Sequence, residues 1–305
     1  MLFSRILKAI FFSNIFYGCC AVALCIETAY QQKIAIASPW FYCFIFCVTI
    51  VYYTYAYLHQ YQTINITTNE RTHWYFKHRT TIRVSQYVLT ILIGIMLCLF
   101  GLNQANTLLQ QPFLTWFVFC IFPALALLYY LKNMNGFQWL SLRNYGLIKP
   151  FLIAFIWAGT ASILPLLYHN IFNQAPFVLT AITVFLFAKN WLFIAVLCIL
   201  FDIKDYADDF NLQLKTFVVR LGLRKTLFNI VLPITFCSWI LFLILAILAH
   251  FPLLRIVFNA IPFILLITVC YRMYQRKSIL YYLAIIDGLM LVKAICGITG
   301  MILFK

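Results

Sequence analysis

Long apolar runs, each about as long as a membrane-crossing helix, dominate the pattern of hydrophobic and polar positions. A helix needs roughly 20 mostly apolar residues to cross a bilayer. Short polar segments separate nine such runs, and this pattern predicts an all-α fold of nine transmembrane helices in a single polytopic domain, residues 1–305. The predicted spans are Ala9–Ile26, Trp40–Leu58, Val84–Leu102, Pro112–Leu131, Pro150–Tyr168, Ala175–Phe201, Thr226–Ala249, Leu253–Tyr271 and Ser278–Phe304.

The composition excludes a water-soluble fold. Hydrophobic residues make up 65% of the 305 residues and charged residues only 10%, whereas soluble domains carry about 25% charged residues. The short segments between the runs leave no room for a separate soluble domain. We therefore expect an integral, multi-pass protein of a cell membrane, with a bacterial inner membrane as the expected location.

The basic residues predict the orientation of the chain. Cytoplasmic loops of membrane proteins collect lysine and arginine, and most of the 22 basic residues fall in the N-terminus and every second loop. The other side carries only Lys33, Arg255 and Lys305. The N-terminus is therefore predicted to be cytoplasmic. The net charge of +15 is explained by loops lying on an anionic leaflet, so no nucleic-acid partner is expected.

Acidic residues are scarce, and they concentrate at one place. The chain has seven, and four of them lie between Asp202 and Asp209, where the sixth span meets the cytoplasm. On a continuing helix, Asp202, Asp205 and Asp209 would share one face. Such a stripe favours a bound cation, and hard oxygen ligands favour Mg²⁺ accompanied by substrate phosphates. Nearby basic residues could contact the phosphate oxygens: Lys204, Lys215 and Arg220.

A solvated loop, whose acids and bases pair among themselves, is the alternative interpretation of this segment. The wider pattern favours a site, because the segment resembles the second aspartate-rich motif of the UbiA superfamily of intramembrane prenyltransferases. The residues in register with that motif are Asp202, Asp205, Asp209, Thr216, Arg220, Leu221 and Gly222. The segment departs from the motif at Asp208 and at Gln213, where small residues or glycine are usual.

The resemblance implies a UbiA-like helical bundle and a Mg²⁺ cofactor held by the three aspartates. It also implies a membrane-embedded substrate, either an isoprenoid diphosphate or another lipid. The implied reaction is transfer of the prenyl group from the diphosphate to an acceptor, with Mg²⁺ drawing electron density from the leaving group.

The first aspartate motif of the family is missing. The corresponding region, Tyr52–Arg79, contains no aspartate and a single glutamate, Glu70. Three interpretations remain open. The basic residues Arg71, Lys77 and Arg79 could take over the phosphate contacts; the protein could have lost catalysis and still bind an isoprenoid or lipid; or its substrate could lack a diphosphate.

Ionisable residues inside the predicted spans are further candidates, because burying a charge in a bilayer is costly. Lys189 and Asp287 lie deep within two spans, and we expect Lys189 to pair with Asp287 or with cavity water. The two residues would then either neutralise each other or line a substrate path. Lys293 lies nearer an interface and is expected to extend towards it. A small-solute transporter using Lys189 and Asp287 is a third possible function, although the sequence shows no internal repeat.

Overall fold

The computed structural model describes residues 2–60, 70–130, 145–275 and 277–304, and every regular element within them is helical. Two π-helical turns, Leu227–Val231 and Tyr282–Ile286, interrupt the longer helices. The α-helices are α1 Leu2–Phe12, α2 Ile15–Gln31, α3 Pro39–Gln60, α4 Glu70–Lys77, α5 Arg79–Asn103, α6 Ala105–Leu109, α7 Phe113–Tyr130, α8 Lys149–Ser162, α9 Leu164–Phe172, α10 Ala181–Lys204, α11 Tyr206–Asn211, α12 Phe217–Thr226, α13 Leu232–Leu248, α14 Leu253–Arg272, α15 Ile279–Tyr281 and α16 Gly288–Leu303.

Each predicted span coincides with helical structure. Among the described residues, six helical stretches are long and apolar enough to cross a membrane, and the bent pair α1 and α2 brings the number to as many as seven. The apolar parts of α3 and α7 are shorter. The protein is thus an all-helical, multi-pass membrane protein in its described part, whereas the count of nine spans and the cytoplasmic N-terminus stay predictions.

Several boundaries differ from the predicted ones. The first span is two helices that meet at 61°, and the second of them extends beyond Ile26 to Gln31. The fifth span is interrupted at Ile163, just before Pro165, because proline lacks the amide hydrogen that would continue the helix. Helix α10, which corresponds to the sixth predicted span, begins at Ala181, six residues after the predicted start, and the Thr180 side chain accepts a hydrogen bond from the Thr183 amide.

The chain divides into two compact units. The first comprises Met1–Val22 and Ala37–Gln110, and the second comprises Ala23–Ile36 and Gln111–Lys305. The prediction of one domain over the whole chain stays a prediction.

A buried polar network holds the first unit together at the break between α1 and α2. Asn14 adopts a left-handed backbone conformation with φ of 66°, which asparagine tolerates better than most residues. Its side-chain amide donates to the Thr54 and Tyr75 hydroxyls, both at 3.0 Å. Burial raises the pKa of the Tyr75 phenol, which keeps its proton and donates it to the Phe12 carbonyl at 2.8 Å. The network thereby caps the last turn of α1.

Helix α10 forms the centre of the second unit. Helices α8 and α13 both pack against it, and α14 packs against α13 and α16. Its core side chains are almost fully buried, among them Leu186, Phe193 and Leu200. The same helix carries Lys189 near its middle and Asp202 near its end, so the packing of α10 positions both groups of charged residues.

Candidate functional site

The carboxylate of Asp202 is buried at the end of α10 and is held by a lysine. Asp202 is 2% exposed, and its Oδ1 accepts a hydrogen bond of 2.8 Å from Lys149 Nζ. Its Oδ2 is also buried and has no hydrogen-bond partner among the described residues. A buried oxygen without a partner is unfavourable, so this atom points to a ligand or water that completes the site.

Lys149 begins α8, where a positive charge opposes the helix dipole. The ion pair between Lys149 and Asp202 offsets this unfavourable interaction with the helix dipole. The turn that precedes Lys149 contains Gly146, which lies close to the backbone of Lys215 and Thr216. A side chain at position 146 would approach those backbone atoms to 2.7 Å. Glycine at this position therefore lets the start of α8 dock on the segment that contains the motif threonine.

The three motif aspartates do not form the single stripe that a continuous helix would give. Helix α10 ends at Lys204, Asp205 closes it with φ of −89° and ψ of 7°, and α11 begins at the next residue. Asp202 and Asp209 are buried, whereas the Asp205 side chain is 38% exposed and pairs with Lys204 at 3.0 Å. The prediction of one acidic face is corrected accordingly, because the helix breaks between the first and third aspartates.

The remaining motif residues follow in a short loop and helix. Gln213 has φ of 54°, and the Leu214 amide donates to the Asp209 carbonyl at 2.8 Å, which is the usual closure of a helix by a left-handed residue. The family's glycine at this position has a physical reason, since glycine adopts that conformation without strain. Gly222, with φ of 77°, makes a second bend inside α12.

Lys215 and Arg220, predicted to contact phosphate, are both exposed and flank residues 216–219. The Thr216 hydroxyl is buried and has no hydrogen-bond partner among the described residues. Thr216 lies next to the backbone contact with Gly146. The second unit thus gathers a buried carboxylate, a buried hydroxyl and a lysine, with Lys215 and Arg220 exposed nearby in the sequence.

The donor set suits Mg²⁺ that arrives with a phosphate better than a metal held by the protein alone. Within the described ranges, no group of three or more His, Cys, Asp or Glu side chains is arranged to hold a metal ion. Magnesium, however, typically takes one or two protein carboxylates together with substrate phosphates and waters. Asp202 Oδ2 and the buried Asp209 carboxylate satisfy that requirement, and Asp205, engaged with Lys204, contributes less.

The three basic residues predicted to replace the missing first motif all belong to the first unit. Arg71 is 3% exposed, and its guanidinium donates to the Tyr57 hydroxyl at 2.9 Å, to the Asn14 side chain and to the Phe12 carbonyl. It stacks over the Tyr57 ring at 4.1 Å. Arg71 therefore stabilises the break between α1 and α2, and its contact with a phosphate stays a prediction.

Lys77 and Arg79 are exposed, and Arg79 lies over the Phe76 ring. Their contact with a phosphate stays a prediction. Glu70, the lone acid of this region, pairs at the surface with Lys8 at 3.0 Å. Within the region Tyr52–Arg79 that corresponds to the first motif of the family, residues 61–69 are outside the described residues.

Lys189 is paired, but its partner is Glu27 and not Asp287. Lys189 Nζ lies 3.5 Å from Glu27 Oε1 and donates to Gln31 Oε1 at 3.1 Å. Lys293 does not extend to an interface; its Nζ lies 2.7 Å from Glu27 Oε2, and the residue is 3% exposed. The predictions for Lys189 and Lys293 failed for the same reason. The first span was predicted to end one residue before Glu27, so Glu27 was not considered as a partner for either lysine.

Asp287 follows the π-helical turn that precedes α16 and is 4% exposed. Its carboxylate is close enough to Cys198 to act on that thiol electrostatically, and the carboxylate of Asp202 acts on the same thiol. Cys198 is nine residues from Lys189, about 13 Å along α10. Asp287 therefore belongs to the end of α10 that carries Asp202, far from the residue with which it was predicted to pair.

Three residues that the structure places in buried or partly buried ion pairs were absent from the predicted sites or were given other roles: Lys149, Glu27 and Lys293. A lysine immediately before Pro150 at a helix start was a usable signal, because a cation there needs a tertiary partner. Glu27 could have been found by extending the first span to Gln31.

Comparison with known proteins identifies the fold. The sequence matches no protein-family model and no curated protein. The structure resembles a solved structure of a digeranylgeranylglyceryl phosphate synthase in membranes, with a TM-score of 0.58 and 15% sequence identity. The match covers 99% of this chain and 100% of the other. The chain therefore shares its fold with that membrane synthase.

Proposed function

We propose that this protein is a UbiA-like integral membrane prenyltransferase that moves a prenyl group from an isoprenoid diphosphate to an acceptor. The observation that carries the proposal is the buried Asp202 carboxylate. It lies in register with the second aspartate motif of that family, and one of its oxygens has no partner among the described residues. The end-to-end likeness to a membrane prenyltransferase supports the same conclusion.

Asp202 and Asp209 would hold Mg²⁺ together with the diphosphate, and when bound the ion would withdraw electron density from the leaving group. Lys149 orients the Asp202 carboxylate from one side and leaves Oδ2 available. Lys215 and Arg220 are exposed and able to donate to phosphate oxygens, Arg220 with a two-pronged guanidinium. Lys204 is engaged with Asp205 and would contribute mainly its charge.

In the proposed reaction, the allylic carbon–oxygen bond breaks and the diphosphate leaves with both electrons. A nucleophilic atom of the acceptor forms the new bond to that carbon and then releases its proton. The role of the protein is to place the two reactants and to stabilise the charge that develops on the diphosphate.

A second candidate is a relative that binds an isoprenoid or lipid without transferring it. One observation favours it: the Lys149 ammonium already balances one charge on Asp202, so this carboxylate is stable in the fold without a metal. The missing first aspartate motif is compatible with the same interpretation. No specific observation favours the third function, transport of a small solute: Lys189 is paired with Glu27, and Asp287 lies towards the Asp202 end of α10.

Binding of geranylgeranyl diphosphate to the purified protein tests the proposal. The probe is chosen because the structural neighbour's name contains that prenyl group. We expect saturable, Mg²⁺-dependent binding that Asp202→Asn weakens at least tenfold. Asp205→Asn is the matched control, because its carboxylate is exposed and paired with Lys204, and we expect a several-fold smaller loss. Equal binding by all three proteins, or no binding at all, would contradict the proposed site.

A further inference from the structure

The ammonium group of Lys149 lies inside the candidate site and contacts one of its carboxylates directly. Lys149 Nζ donates to Asp202 Oδ1 at 2.8 Å, and the two side chains are 16% and 3% exposed. The charge of Asp202 is therefore balanced by an amino acid of the protein itself. Oδ2 of the same carboxylate is buried and has no hydrogen-bond partner in the described part of the chain, so Asp202 offers one of its two oxygens to a ligand.

The backbone around Lys149 fixes the position of this ammonium. The Lys149 amide donates to the Tyr145 carbonyl at 2.9 Å, and Pro150, whose φ is already helical, follows in the first turn of α8. Gly146 of the same turn lies close to the backbone of the segment that contains the motif threonine. Because the turn is held in this way, we expect Lys149 to keep its contact with Asp202 when a ligand binds.

The lysines of the site lower the negative charge that it offers to a metal ion. Asp202 pairs with Lys149, and Asp205 pairs with Lys204 at 3.0 Å. Together with the carboxylate of Asp209, these groups carry one net negative charge. Mg²⁺ gives up its waters reluctantly, so one net negative charge next to a fixed ammonium binds the free ion weakly. A diphosphate that arrives with the ion supplies the missing negative charge.

The same ammonium is suited to contact that diphosphate. An ammonium group has three N–H donors, and the hydrogen bond to Asp202 uses one of them. The Lys149 side chain is more exposed than that of Asp202, so an anion can approach the ammonium. Hydrogen bonds from an ammonium to phosphate are among the strong ones. Lys149 can therefore contact the carboxylate and a phosphate oxygen at the same time.

We propose that Lys149 is a resident cation of the candidate site, which keeps a divalent ion from binding at Asp202 alone and donates to the diphosphate that brings the ion with it. The ligand of the site is then the complex of Mg²⁺ with an isoprenoid diphosphate, and the free ion is a poor ligand. This inference rests on the proposed function, because it takes Asp202 as a ligand of that complex.

Binding of Mn²⁺ alone tests the first half of the proposal. Mn²⁺ takes the same oxygen ligands as Mg²⁺, and electron paramagnetic resonance measures its free concentration. The full chain is placed in nanodiscs of neutral lipid at about pH 8, where exposed carboxylates are ionised. Lys149→Met should bind Mn²⁺ at least tenfold more tightly than the unaltered protein, because a positive charge next to Asp202 is removed. Lys149→Gln replaces it if the methionine variant does not fold.

Three further variants locate the effect. Lys149→Arg keeps a positive charge at this position and should bind Mn²⁺ as weakly as the unaltered protein. Adding Asp202→Asn to Lys149→Met should abolish the gain in affinity. Lys225→Met removes an exposed lysine of α12 and should change the affinity by less than about twofold, since exposed charges are screened.

Binding of geranylgeranyl diphosphate in saturating Mn²⁺ tests the second half. Lys149→Met should bind this complex several-fold more weakly, because a charge-assisted hydrogen bond is lost, although it binds the metal alone more tightly. A merely structural role for Lys149 would weaken both.

The inference alone is overturned if the unaltered protein binds the diphosphate but the neutral variants bind Mn²⁺ no more tightly than it does, or bind the complex equally well. If the unaltered protein binds no diphosphate, the proposed function fails and this inference fails with it.

Discussion

Replacing Gly146 by alanine should disturb the candidate site without touching any charged residue. The added Cβ would lie 2.7 Å from the Lys215 carbonyl carbon and from the Thr216 amide nitrogen. These are backbone atoms, so no side-chain rotation can relieve the clash. Restoring a contact distance of at least 3.4 Å requires the two segments to separate by about 0.7 Å.

The separation has two measurable consequences. Overpacking of this kind typically costs about 1–3 kcal/mol of stability, so the thermal unfolding midpoint should fall by several degrees. The same movement carries the start of α8 away from α10 and lengthens the 2.8 Å hydrogen bond from Lys149 to Asp202. Since hydrogen bonds weaken beyond about 3.2 Å, binding of geranylgeranyl diphosphate should weaken several-fold as well.

Gly288→Ala is the matched control, because a Cβ at position 288 would meet nothing within 4 Å. Both variants are compared with the unaltered protein in a thermal unfolding assay in detergent and in a diphosphate binding assay. If Gly146→Ala matched Gly288→Ala in both assays, the docking of the α8 start on the motif segment would be refuted.

Three further substitutions test other parts of the structure. Gln213→Gly should raise the thermal unfolding midpoint, because it removes a left-handed non-glycine residue worth roughly 1 kcal/mol; a lower midpoint would contradict the strain argument. Arg71→Met should destabilise the first unit by about 2–4 kcal/mol through the loss of buried hydrogen bonds. Limited proteolysis of the full chain, followed at cleavage sites within residues 70–110, measures this loss, and the exposed Lys77→Met should change little. Glu27→Gln should lower the stability measured by thermal unfolding by about 3–5 kcal/mol, because it leaves buried lysines without a counter-charge. Glu70→Gln, which breaks a surface pair, is the control and should lower the stability by at most about 1 kcal/mol. Equal losses of stability in the two variants would refute the buried cluster of Glu27 with Lys189 and Lys293.

The helical membrane fold could be predicted from the sequence because it follows from composition and run length alone. Bilayer thickness fixes the length of an apolar helix, so the runs coincide with helices even where their ends were misplaced. The bend at Asn14 depends on a single side chain. The interruption before Pro165 depends on one missing amide hydrogen. Averages over windows of about 20 residues do not resolve such features.

Positions of the acidic motif could be found from residue spacing, whereas the partners of those residues could not. Asp202 is held by Lys149, which lies 53 positions earlier in the sequence, and Glu27 is paired with Lys293, 266 positions later. Such contacts depend on which helices pack side by side, and helical periodicity carries no information about that. For the same reason Asp287 was predicted to pair with Lys189, near the middle of α10, although it lies towards the end of α10 that carries Asp202.

Transfer itself tests the central claim most directly. The purified protein is incubated with Mg²⁺, geranylgeranyl diphosphate labelled in its prenyl chain, and a total membrane lipid extract as the source of acceptors. The account predicts a labelled lipid product formed in equal amount to the diphosphate released, and loss of both with Asp202→Asn. Tight, Mg²⁺-dependent binding of the diphosphate with neither labelled product nor diphosphate release would contradict the transferase and favour a protein that binds isoprenoids without transferring them.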